Sequence, residues 1–259
     1  MSPRPDPVLE AARPWLAPVR EVDPAAPLLV CFPHAGGTAA YFHRWSVALA
    51  PEVTALPVHY PGRFDRRAEP APLDLMALVT GVADVVAPLT GARRTILFGH
   101  SMGAVVAHEV SRVLQARAAS PSALVVSGRR PPRPDVSERL PVEEDTVLAD
   151  VRRLGGRGVA LLEDPEVRAA FLPVIRGDYA LLDGHRYRPG PLLDIPVTAV
   201  VGDSDPRVTP ADAHGWGATT TGPFRLFTRT GGHFYLDDDT PFLLDLVRSS
   251  AGGDPCASG

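Results

Sequence analysis

The sequence predicts an α/β fold: a mostly parallel sheet with helices on both faces and one helical insertion. Two observations predict it. Short continuous apolar runs alternate along the chain with segments whose apolar residues recur every three or four positions. Glycine-containing turns separate the first and third runs from the helical segments that follow them. Because parallel strands joined by helices are buried on both faces, this alternation is typical of βαβ units.

Six apolar runs are predicted to be the strands. In chain order they are Leu28–Phe32, Val53–Tyr60, Thr95–Phe98, Ala123–Ser127, Val197–Val201 and Phe224–Phe227. A helix is predicted after each of the first three strands. The first is capped by Thr38 and has apolar residues at Tyr41, Trp45 and Leu49, and the second spans residues 73–89. The third has apolar residues at Val106, Val110, Val113 and Leu114.

The alternation is interrupted between Ser127 and Val197, which are too far apart for a single crossover. Two apolar helical stripes lie in this interval: Val147, Val151 and Leu154, then Val167, Phe171 and Val174. Pro173 and Gly177 are predicted to bend or end the second helix. Residues 130–194 are predicted to be a helical lid insertion, because the carboxyl edge of the sheet is where a lid over a site would lie. A helical subdomain that merely packs is the alternative.

Composition excludes several classes of protein. The length fits one domain, residues 1–259, with flexible ends predicted at 1–14 and 249–259. The formal net charge is −4, which argues against nucleic acid as a partner. The first residues lack a secretory signal, and no apolar run approaches the ~18 residues of a membrane helix. Cys31 and Cys256 suggest no disulfide framework, so we expect a soluble cytoplasmic protein that binds no membrane.

The segment Gly99-His100-Ser101-Met102-Gly103 carries the sharpest chemical signal. It matches the pattern G-x-S-x-G and lies between a predicted buried strand and an amphipathic helix. Glycines on both sides of the serine allow the strained strand-to-helix turn that exposes a nucleophilic hydroxyl above a sheet. Ser101 is therefore the predicted nucleophile. A tight turn with a purely structural role is the alternative.

A serine hydroxyl is a weak nucleophile, so a base must remove its proton, and the expected chain order is serine, acid, histidine. Among the eight histidines, His233 alone lies beyond the last predicted strand, in the glycine-rich sequence Gly231-Gly232-His233-Phe234. His233 is therefore the predicted base. His214 also follows the candidate acids but lies in a predicted surface helix.

The acid is expected in the loop after the strand Val197–Val201, where Asp203 and Asp205 are both candidates for orienting His233. Asp203 has the alternative of hydrogen bonding to the backbone of its own turn. The loop lacks the glycine and glutamate spacing of an EF-hand, so a calcium site is not predicted there.

Acyl transfer also needs hydrogen-bond donors for the oxyanion of its tetrahedral intermediate. One is expected to be the backbone N–H of Met102, and the other to lie in the loop His34–Gly37. His34 is expected to hold this loop in place rather than to act as a second base. The run Asp237–Asp239 is expected to cap a helix rather than to bind metal. Phosphate-loop, dinucleotide and zinc-ligand spacings are absent from the sequence.

Five motifs carry a resemblance to a known family. They are Cys31-Phe32-Pro33-His34-Ala35-Gly36-Gly37, Tyr60-Pro61-Gly62-Arg63, Gly99-His100-Ser101-Met102-Gly103, Gly202-x-x-Asp205-Pro206 and Gly231-Gly232-His233-Phe234. With them, the chain resembles the type II thioesterases, discrete α/β-hydrolase enzymes associated with polyketide synthases and nonribosomal peptide synthetases. The resemblance implies a catalytic triad of Ser101, Asp205 and His233, because the family places its acid at the third residue after that glycine. It also implies an oxyanion hole formed by the N–H groups of Ala35 and Met102.

The resemblance further implies the reaction and the partner. Acyl thioesters would be hydrolysed from the phosphopantetheine arm of acyl carrier or peptidyl carrier proteins that arrive in trans, clearing stalled or wrongly primed units. No metal or redox cofactor is implied, since phosphopantetheine belongs to the substrate, and a monomer is expected. A carboxylesterase or lipase with the same triad and a non-catalytic carrier-protein-binding factor are the alternatives.

Two groups of arginines follow predicted strands at their carboxyl ends. The first is Arg63, Arg66 and Arg67, and the second is Arg129, Arg130 and Arg133. Because the predicted nucleophile lies at the same edge of the sheet, some of these side chains are expected to steer acidic carrier proteins to the site. Solvated loop charges are the alternative.

Overall fold

The computed structural model describes residues 7–16, 18, 23–134 and 139–252. The strands in this part of the chain are β1 (Leu28–Phe32), β2 (Thr54–Pro57), β3 (Thr95–His100), β4 (Ala123–Ser127), β5 (Val197–Gly202) and β6 (Phe224–Arg229). They form one sheet in the order β2-β1-β3-β4-β5-β6, and all neighbours are parallel. Their carboxyl ends therefore meet at one edge, where the site predicted from the sequence is expected.

The helices cover both faces of this sheet. Those described are α1 (Pro7–Ala11), α2 (His43–Leu49), α3 (Leu75–Ala92), α4 (Met102–Ala116), α5 (Glu144–Leu154), α6 (Pro165–Gly184), α7 (Pro210–His214) and α8 (Thr240–Gly252). Buried residues of α3 and α4 share one core with Leu28 and Val30, and those of α2 and α8 share a second core with Leu29 and Cys31. Successive β1 residues thus face opposite cores, as the period of a strand requires.

One helix, α3, is long and apolar enough by composition to cross a membrane, with a mean hydropathy of 1.7. Its residues Leu78, Val82 and Val86 are buried in the core that it shares with α4. The helix begins at Leu75, two residues later than predicted, because the Asp74 carboxylate accepts the Ala77 N–H at 2.7 Å and caps it. In this fold α3 is a helix that covers the sheet.

Two further boundaries differ from the sequence prediction. Thr38 forms no side-chain cap; its carbonyl accepts the Tyr41 N–H at 3.0 Å, so a 3₁₀ helix, Ala39–Phe42, precedes α2. The predicted strand Val53–Tyr60 is shorter, because the chain after Pro57 leaves the parallel ladder and Val58 pairs antiparallel with Leu16.

The segment between β4 and β5 is helical, with α5, a 3₁₀ helix at Val159–Glu163, and α6. The prediction that Pro173 and Gly177 bend or end the second helix is wrong about its end, because α6 continues to Gly184. Both residues lie on its exposed side, whereas Ile175 and Tyr179 are buried on the other. The free energy gained by burying the face with Ile175 and Tyr179 outweighs the loss of helix propensity, which is about 3 kcal/mol for a proline and about 1 kcal/mol for a glycine inside a helix.

The start of the described chain packs against the fold. Residues Pro7–Ala11 form α1, and Leu9, Ala12 and Leu16 are buried in the core that contains α3. Part of the end predicted to be flexible, residues 7–14, therefore packs on the core, and burial of its apolar side chains favours one conformation. At the other end, α8 extends to Gly252, so 249–252 are helical. Residues 1–6 and 253–259, which include Cys256, lie outside the described residues.

Candidate active site

Ser101 lies at a sharp turn between β3 and α4. Its backbone has φ 55° and ψ −116°, an unusual conformation for a residue with a side chain. The turn is held by the Ser101 N–H, which donates to the Ser127 carbonyl at 2.8 Å. Strain of this kind is maintained by the surrounding structure and is concentrated at functional sites.

The two glycines of the turn are required by close packing. A Cβ at Gly99 would lie 2.1 Å from the Gly103 carbonyl oxygen, and a Cβ at Gly103 would lie 2.0 Å from the Phe32 carbonyl oxygen. Neither backbone oxygen can move away without moving a strand or a helix. The turn thus brings α4 close to the end of β1, where the loop with the second predicted oxyanion donor begins.

His233 and Asp205 come together from different loops. The His233 Nδ1 and Asp205 Oδ2 atoms are 2.8 Å apart, and both side chains are fully buried. The other carboxylate oxygen, Oδ1, accepts the backbone N–H of Arg207 at 2.8 Å. A carboxylate held at both oxygens fixes the orientation of the imidazole ring and leaves Nε2 as the atom available for proton transfer.

Asp203 occupies a different position. Its Oδ1 accepts the Gly231 N–H at 3.0 Å, and its own N–H donates to the Arg229 carbonyl at 2.7 Å. Asp203 therefore holds the loop that carries His233, while Asp205 contacts the ring itself. The same two loops approach so closely that a Cβ at Gly202 would lie 2.3 Å from the Gly231 carbonyl oxygen.

Ser101 and His233 line one cavity of about 460 Å³. Within the described residues, His233 Nε2 is buried without a hydrogen-bond partner, and Ser101 Oγ makes no side-chain hydrogen bond. The structure thus brings the serine and the histidine to the same cavity without a hydrogen bond between them. Contacts of this type are often long in substrate-free enzymes and shorten when substrate binds.

Three other rings surround His233. The ring centroids of His100 and Phe234 lie 4.9 Å and 5.2 Å from that of His233, and His34 contacts the Phe234 ring at 4.9 Å. His100 Nδ1 is 3.0 Å from the Ser127 hydroxyl oxygen. Burial lowers the pKa of His34 to about 3 and holds the pKa of His100 well below its usual range, with the charge of His233 acting in the same direction. Both imidazoles are neutral near pH 7.

These pKa shifts make the fold less stable in acid. A histidine whose pKa is lowered on folding binds more protons in the unfolded state at every pH between the two values, so stability falls as the pH falls through 6.5 toward 3. For His34 we expect the free energy of unfolding to fall by at most about 2 kcal/mol between pH 7 and pH 5. Urea unfolding at the two pH values measures it.

The control for this prediction is a second histidine variant. His34→Gln should reduce the difference in unfolding free energy between the two pH values. His43→Gln should leave the difference unchanged, since His43 is exposed on α2. Equal acid sensitivity of the wild type and His34→Gln would contradict the assignment.

The two predicted oxyanion donors come from different elements, the start of α4 and the loop after β1. Met102 is the first residue of α4, a position whose N–H has no acceptor within the helix. Ala35 lies in the loop after β1, and its N–H makes no backbone or side-chain hydrogen bond within the described part of the chain. Ala35 and Ser101 line the same cavity. Both N–H groups are therefore free to donate to a bound oxyanion.

The insertion forms the far wall of this cavity. Its apolar lining residues come from α5, the following 3₁₀ helix and α6: Val151, Leu154, Leu162, Phe171 and Ile175. Arg157, between α5 and the 3₁₀ helix, donates from its guanidinium to the Asp237 carbonyl at 2.9 Å and pairs with Asp238 at 3.1 Å. Asp237 and Asp238, from the run expected to cap the following helix, thus also bind the insertion. An apolar wall opposite a polar catalytic corner is typical of ligand sites.

Most of the arginines predicted to steer carrier proteins contact other residues of this chain instead of facing solvent. The Arg63 side chain is 8% exposed and pairs with Asp178, and the Arg66 side chain is 6% exposed and pairs with Glu69. Arg129 is buried as well. Among the six, Arg67 and Arg133 are exposed. The expectation of two steering clusters is therefore wrong for Arg63, Arg66 and Arg129, because buried guanidinium groups cannot meet a partner.

Asp178 is a buried residue near the site that belongs to none of the sequence motifs. This residue is 3% exposed on α6, and its Oδ2 accepts the Gly36 N–H at 2.7 Å. Its sequence signal is a carboxylate in the buried stripe of an amphipathic helix, next to Ile175 and Tyr179. A buried charge is costly unless it is paired, so such a residue predicts a specific partner.

Within the described residues, no group of three or more histidine, cysteine, aspartate or glutamate side chains could hold a metal ion.

The fold and the site together define the class of protein. A serine at a strand-to-helix turn of a parallel sheet, with an acid and a histidine from the loops after later strands, is the arrangement of the α/β hydrolases. A family model, the thioesterase domain, matches residues 27–250. The chain therefore belongs to the thioesterase family, whose members are hydrolases that act on thioesters.

Two curated relatives and one solved structure illustrate the similarity. The chain is 42% identical over 229 residues to the thioesterase PikA5 of Streptomyces venezuelae, covering 86% of this chain and 80% of that protein. It is 40% identical over 227 residues to a "probable cadicidin biosynthesis thioesterase" of Streptomyces griseus, covering 87% of this chain and 62% of that protein. The structure of BorB, a type II thioesterase from the borrelidin biosynthetic cluster, superimposes with a TM-score of 0.75 at 40% identity and covers 92% of this chain and 96% of that one.

Proposed function

We propose that this protein is an editing thioesterase that hydrolyses acyl thioesters from the phosphopantetheine arm of carrier proteins in polyketide or nonribosomal peptide biosynthesis. The observation that carries the proposal is the buried Asp205–His233 pair beside Ser101 in one cavity. The relative named for cadicidin biosynthesis and the structure from the borrelidin biosynthetic cluster support the class of pathway. The carrier protein would be a separate partner in the cytoplasm.

The proposed reaction has two steps. Ser101 Oγ attacks the thioester carbonyl carbon while His233 Nε2 takes the hydroxyl proton, and the oxyanion accepts hydrogen bonds from the N–H groups of Ala35 and Met102. The C–S bond then breaks, and the pantetheine sulfur leaves as a thiol with the proton from His233. Water attacks the acyl-enzyme with His233 again as base, releasing the carboxylic acid and restoring Ser101.

Asp205 supports both steps without being protonated itself. Its carboxylate holds His233 with Nδ1 protonated, and its negative charge stabilises the imidazolium that forms when Nε2 takes a proton. Because neighbouring His100 and His34 are neutral, they do not add a positive charge that would oppose this protonation. The apolar wall that the insertion contributes to the cavity would bind the acyl chain. The phosphopantetheine arm would enter through the opening of the same cavity.

The experiment that tests the proposal is mass spectrometry of a panel of acyl-loaded carrier proteins, with and without the enzyme. We expect loss of the acyl group from the arm with the wild type and none above background with Ser101→Ala. Matched oxygen esters should be hydrolysed with a much lower kcat/KM. A strong preference for the oxygen esters would indicate a carboxylesterase. A wild type that removes no acyl group, with a full biological effect retained in Ser101→Ala, would indicate a non-catalytic carrier-binding factor.

An exposed arginine at the cavity rim offers a test of the partner. Arg44 on α2 lines the cavity that contains Ser101, and it forms no ion pair within the described residues. Carrier proteins are acidic, so a free guanidinium at the entrance should favour their docking. We expect Arg44→Glu to raise KM for an acyl-carrier substrate about tenfold at low salt, a change of about 1.4 kcal/mol.

A matched control separates docking from chemistry. Hydrolysis of an acyl-N-acetylcysteamine thioester, which lacks the carrier, should be unchanged in Arg44→Glu. Arg94→Glu should affect neither substrate, because Arg94 is exposed before β3, at the opposite edge of the sheet. Equal losses on the carrier and the small thioester would argue against a docking role for Arg44.

A further inference from the structure

The loop that follows β1 is held at three backbone atoms by side chains from distant parts of the chain. The loop comprises residues 33–37, and we call it the oxyanion loop because it contains Ala35. The Tyr60 hydroxyl donates to the Pro33 carbonyl at 3.3 Å, and an Arg63 guanidinium N–H donates to the Gly37 carbonyl at 2.8 Å. The Gly36 N–H donates to Asp178 Oδ2 at 2.7 Å.

These side chains form one connected group. Arg63 forms an ion pair with Asp178, and the two side chains are 8% and 4% exposed. The Arg63 guanidinium also lies over the Tyr60 ring, 4.7 Å from its centroid. The Arg63–Asp178 pair therefore connects three elements: the turn after β2, the oxyanion loop and helix α6.

Helix α6 also contacts the loop directly. Gly36 has φ +73°, and a Cβ at this position would lie 2.4 Å from the Cγ1 atom of Ile175, one turn before Asp178. Glycine is thus required both by the backbone conformation and by the packing of α6. A displacement of α6 would alter the contact with Gly36 and the hydrogen bond that its N–H donates to Asp178.

The Pro33 carbonyl and the Gly36 N–H, which are both held by hydrogen bonds, lie before and after the Ala35 N–H along the chain. Peptide groups are planar, so fixing the Pro33 carbonyl and the Gly36 N–H restricts the orientation of the peptide groups between them. Oxyanion stabilisation depends on donors placed in advance at the position where charge develops. The Ala35 N–H has no hydrogen bond of its own in the described chain. Its direction is therefore set by its neighbours.

We propose that Arg63 and Asp178 are positioning residues that set the Ala35 N–H for oxyanion stabilisation, so that catalysis depends on the position of helix α6. This inference rests on the proposed function, because it assumes that Ala35 N–H binds the oxyanion. Stability alone is a poor explanation of the pair, since a buried ion pair often contributes less than apolar residues of the same volume. Here each partner also binds the backbone of the oxyanion loop.

Asp178→Glu is the variant that tests the inference most directly. Glutamate retains a negative charge for Arg63. Its side chain is longer by one methylene group, so the carboxylate is displaced from its position beside the Gly36 N–H. Displacements of about 1 Å at a catalytic group lower rates by about 100-fold, so we expect kcat to fall 10- to 100-fold on an acyl-N-acetylcysteamine thioester. KM should change less than about threefold, since ground-state binding does not use the oxyanion donors.

A second variant and a transition-state analogue keep the test independent of folding. Asp178→Asn retains an acceptor for the Gly36 N–H and removes the charge, so we expect a smaller fall in kcat than for Asp178→Glu. A trifluoromethyl ketone analogue forms a tetrahedral adduct with Ser101, and its inhibition constant should rise by the same factor as kcat/KM falls. This constant is measured on the Ser101-reactive fraction, so partial unfolding does not change it.

The control is an ion pair in the same region that does not contact the oxyanion loop. Arg66 pairs with Glu69 and donates to the His59 carbonyl, so Glu69→Gln should lower thermal stability while leaving kcat and the inhibition constant unchanged. If Asp178→Glu and Asp178→Asn behave like Glu69→Gln in both measurements, the inference is overturned. If instead the wild type neither hydrolyses the thioester nor forms the ketone adduct, the proposed function itself fails.

Discussion

Replacing Ser101 by alanine should lower kcat for acyl-thioester hydrolysis by about 10⁴- to 10⁶-fold, because the hydroxyl that we propose as the nucleophile is lost. His233 and the oxyanion donors would remain, so a residual rate above that in water is expected. The substitution removes one oxygen atom at the end of a strained turn, and the fold should tolerate it. Substrate binding should change little.

Two measurements check this result. Intact-protein mass spectrometry of the wild type, quenched during turnover, should detect an increase equal to one acyl group, and Ser101→Ala should show none. Ser111→Ala is the matched control: Ser111 is buried on the same helix, α4, and its hydroxyl donates to the Ala107 carbonyl at 2.8 Å. That variant should retain wild-type kcat within about threefold. An acyl adduct on Ser101→Ala would show that the nucleophile is another residue.

Replacing Asp205 by asparagine should lower kcat by about 10³- to 10⁴-fold with little change in structure. The amide NH₂ group of asparagine donates hydrogen bonds, so it would favour the His233 tautomer with an unprotonated Nδ1. The proton would then lie on Nε2, the atom that must accept it from Ser101. The lost negative charge would also leave the imidazolium without its buried partner.

Asp203 offers a matched control for this substitution, since it is an aspartate two residues away on the same loop. Asparagine at position 203 can still accept the Gly231 N–H through its amide oxygen. We therefore expect Asp203→Asn to retain activity within about threefold. Single-turnover kinetics of acyl-enzyme formation would compare both variants with the wild type. Similar losses for Asp203→Asn and Asp205→Asn would mean that the loop, and not the Asp205–His233 contact, sets the rate.

Local features of the sequence were enough to predict the parallel sheet of this protein and the turn that carries Ser101. Buried strands followed by glycine-rich turns appear as short apolar runs, and they predicted six parallel strands within a few residues of their observed bounds. The turn at Gly99–Gly103 was predictable because only glycine tolerates the close approaches seen there. Since strands of a parallel sheet end at one edge, the loops with Asp205 and His233 were expected to meet near Ser101.

Long-range packing decided the remaining features, because the sequence near a residue does not reveal its partner in space. The loop after β5 contains two aspartates that local reasoning could not separate; the structure places Asp205 on His233 and Asp203 on the backbone of Gly231. The continuity of α6 through Pro173 depends on a core contributed by other elements. By its position after a strand Arg63 is predicted to be a surface charge, but it pairs with Asp178, which lies 115 residues further along the chain.

The physical reason is the range of the forces involved. Backbone conformation is set by contacts within a few residues, so turns, caps and the spacing of apolar side chains are encoded locally. The role of a charged side chain depends on whether it is desolvated and on which opposite charge meets it, and both depend on the assembled fold. Arg63 and Asp178 thus acquire their role only when helix α6 packs on the loop that contains Ala35.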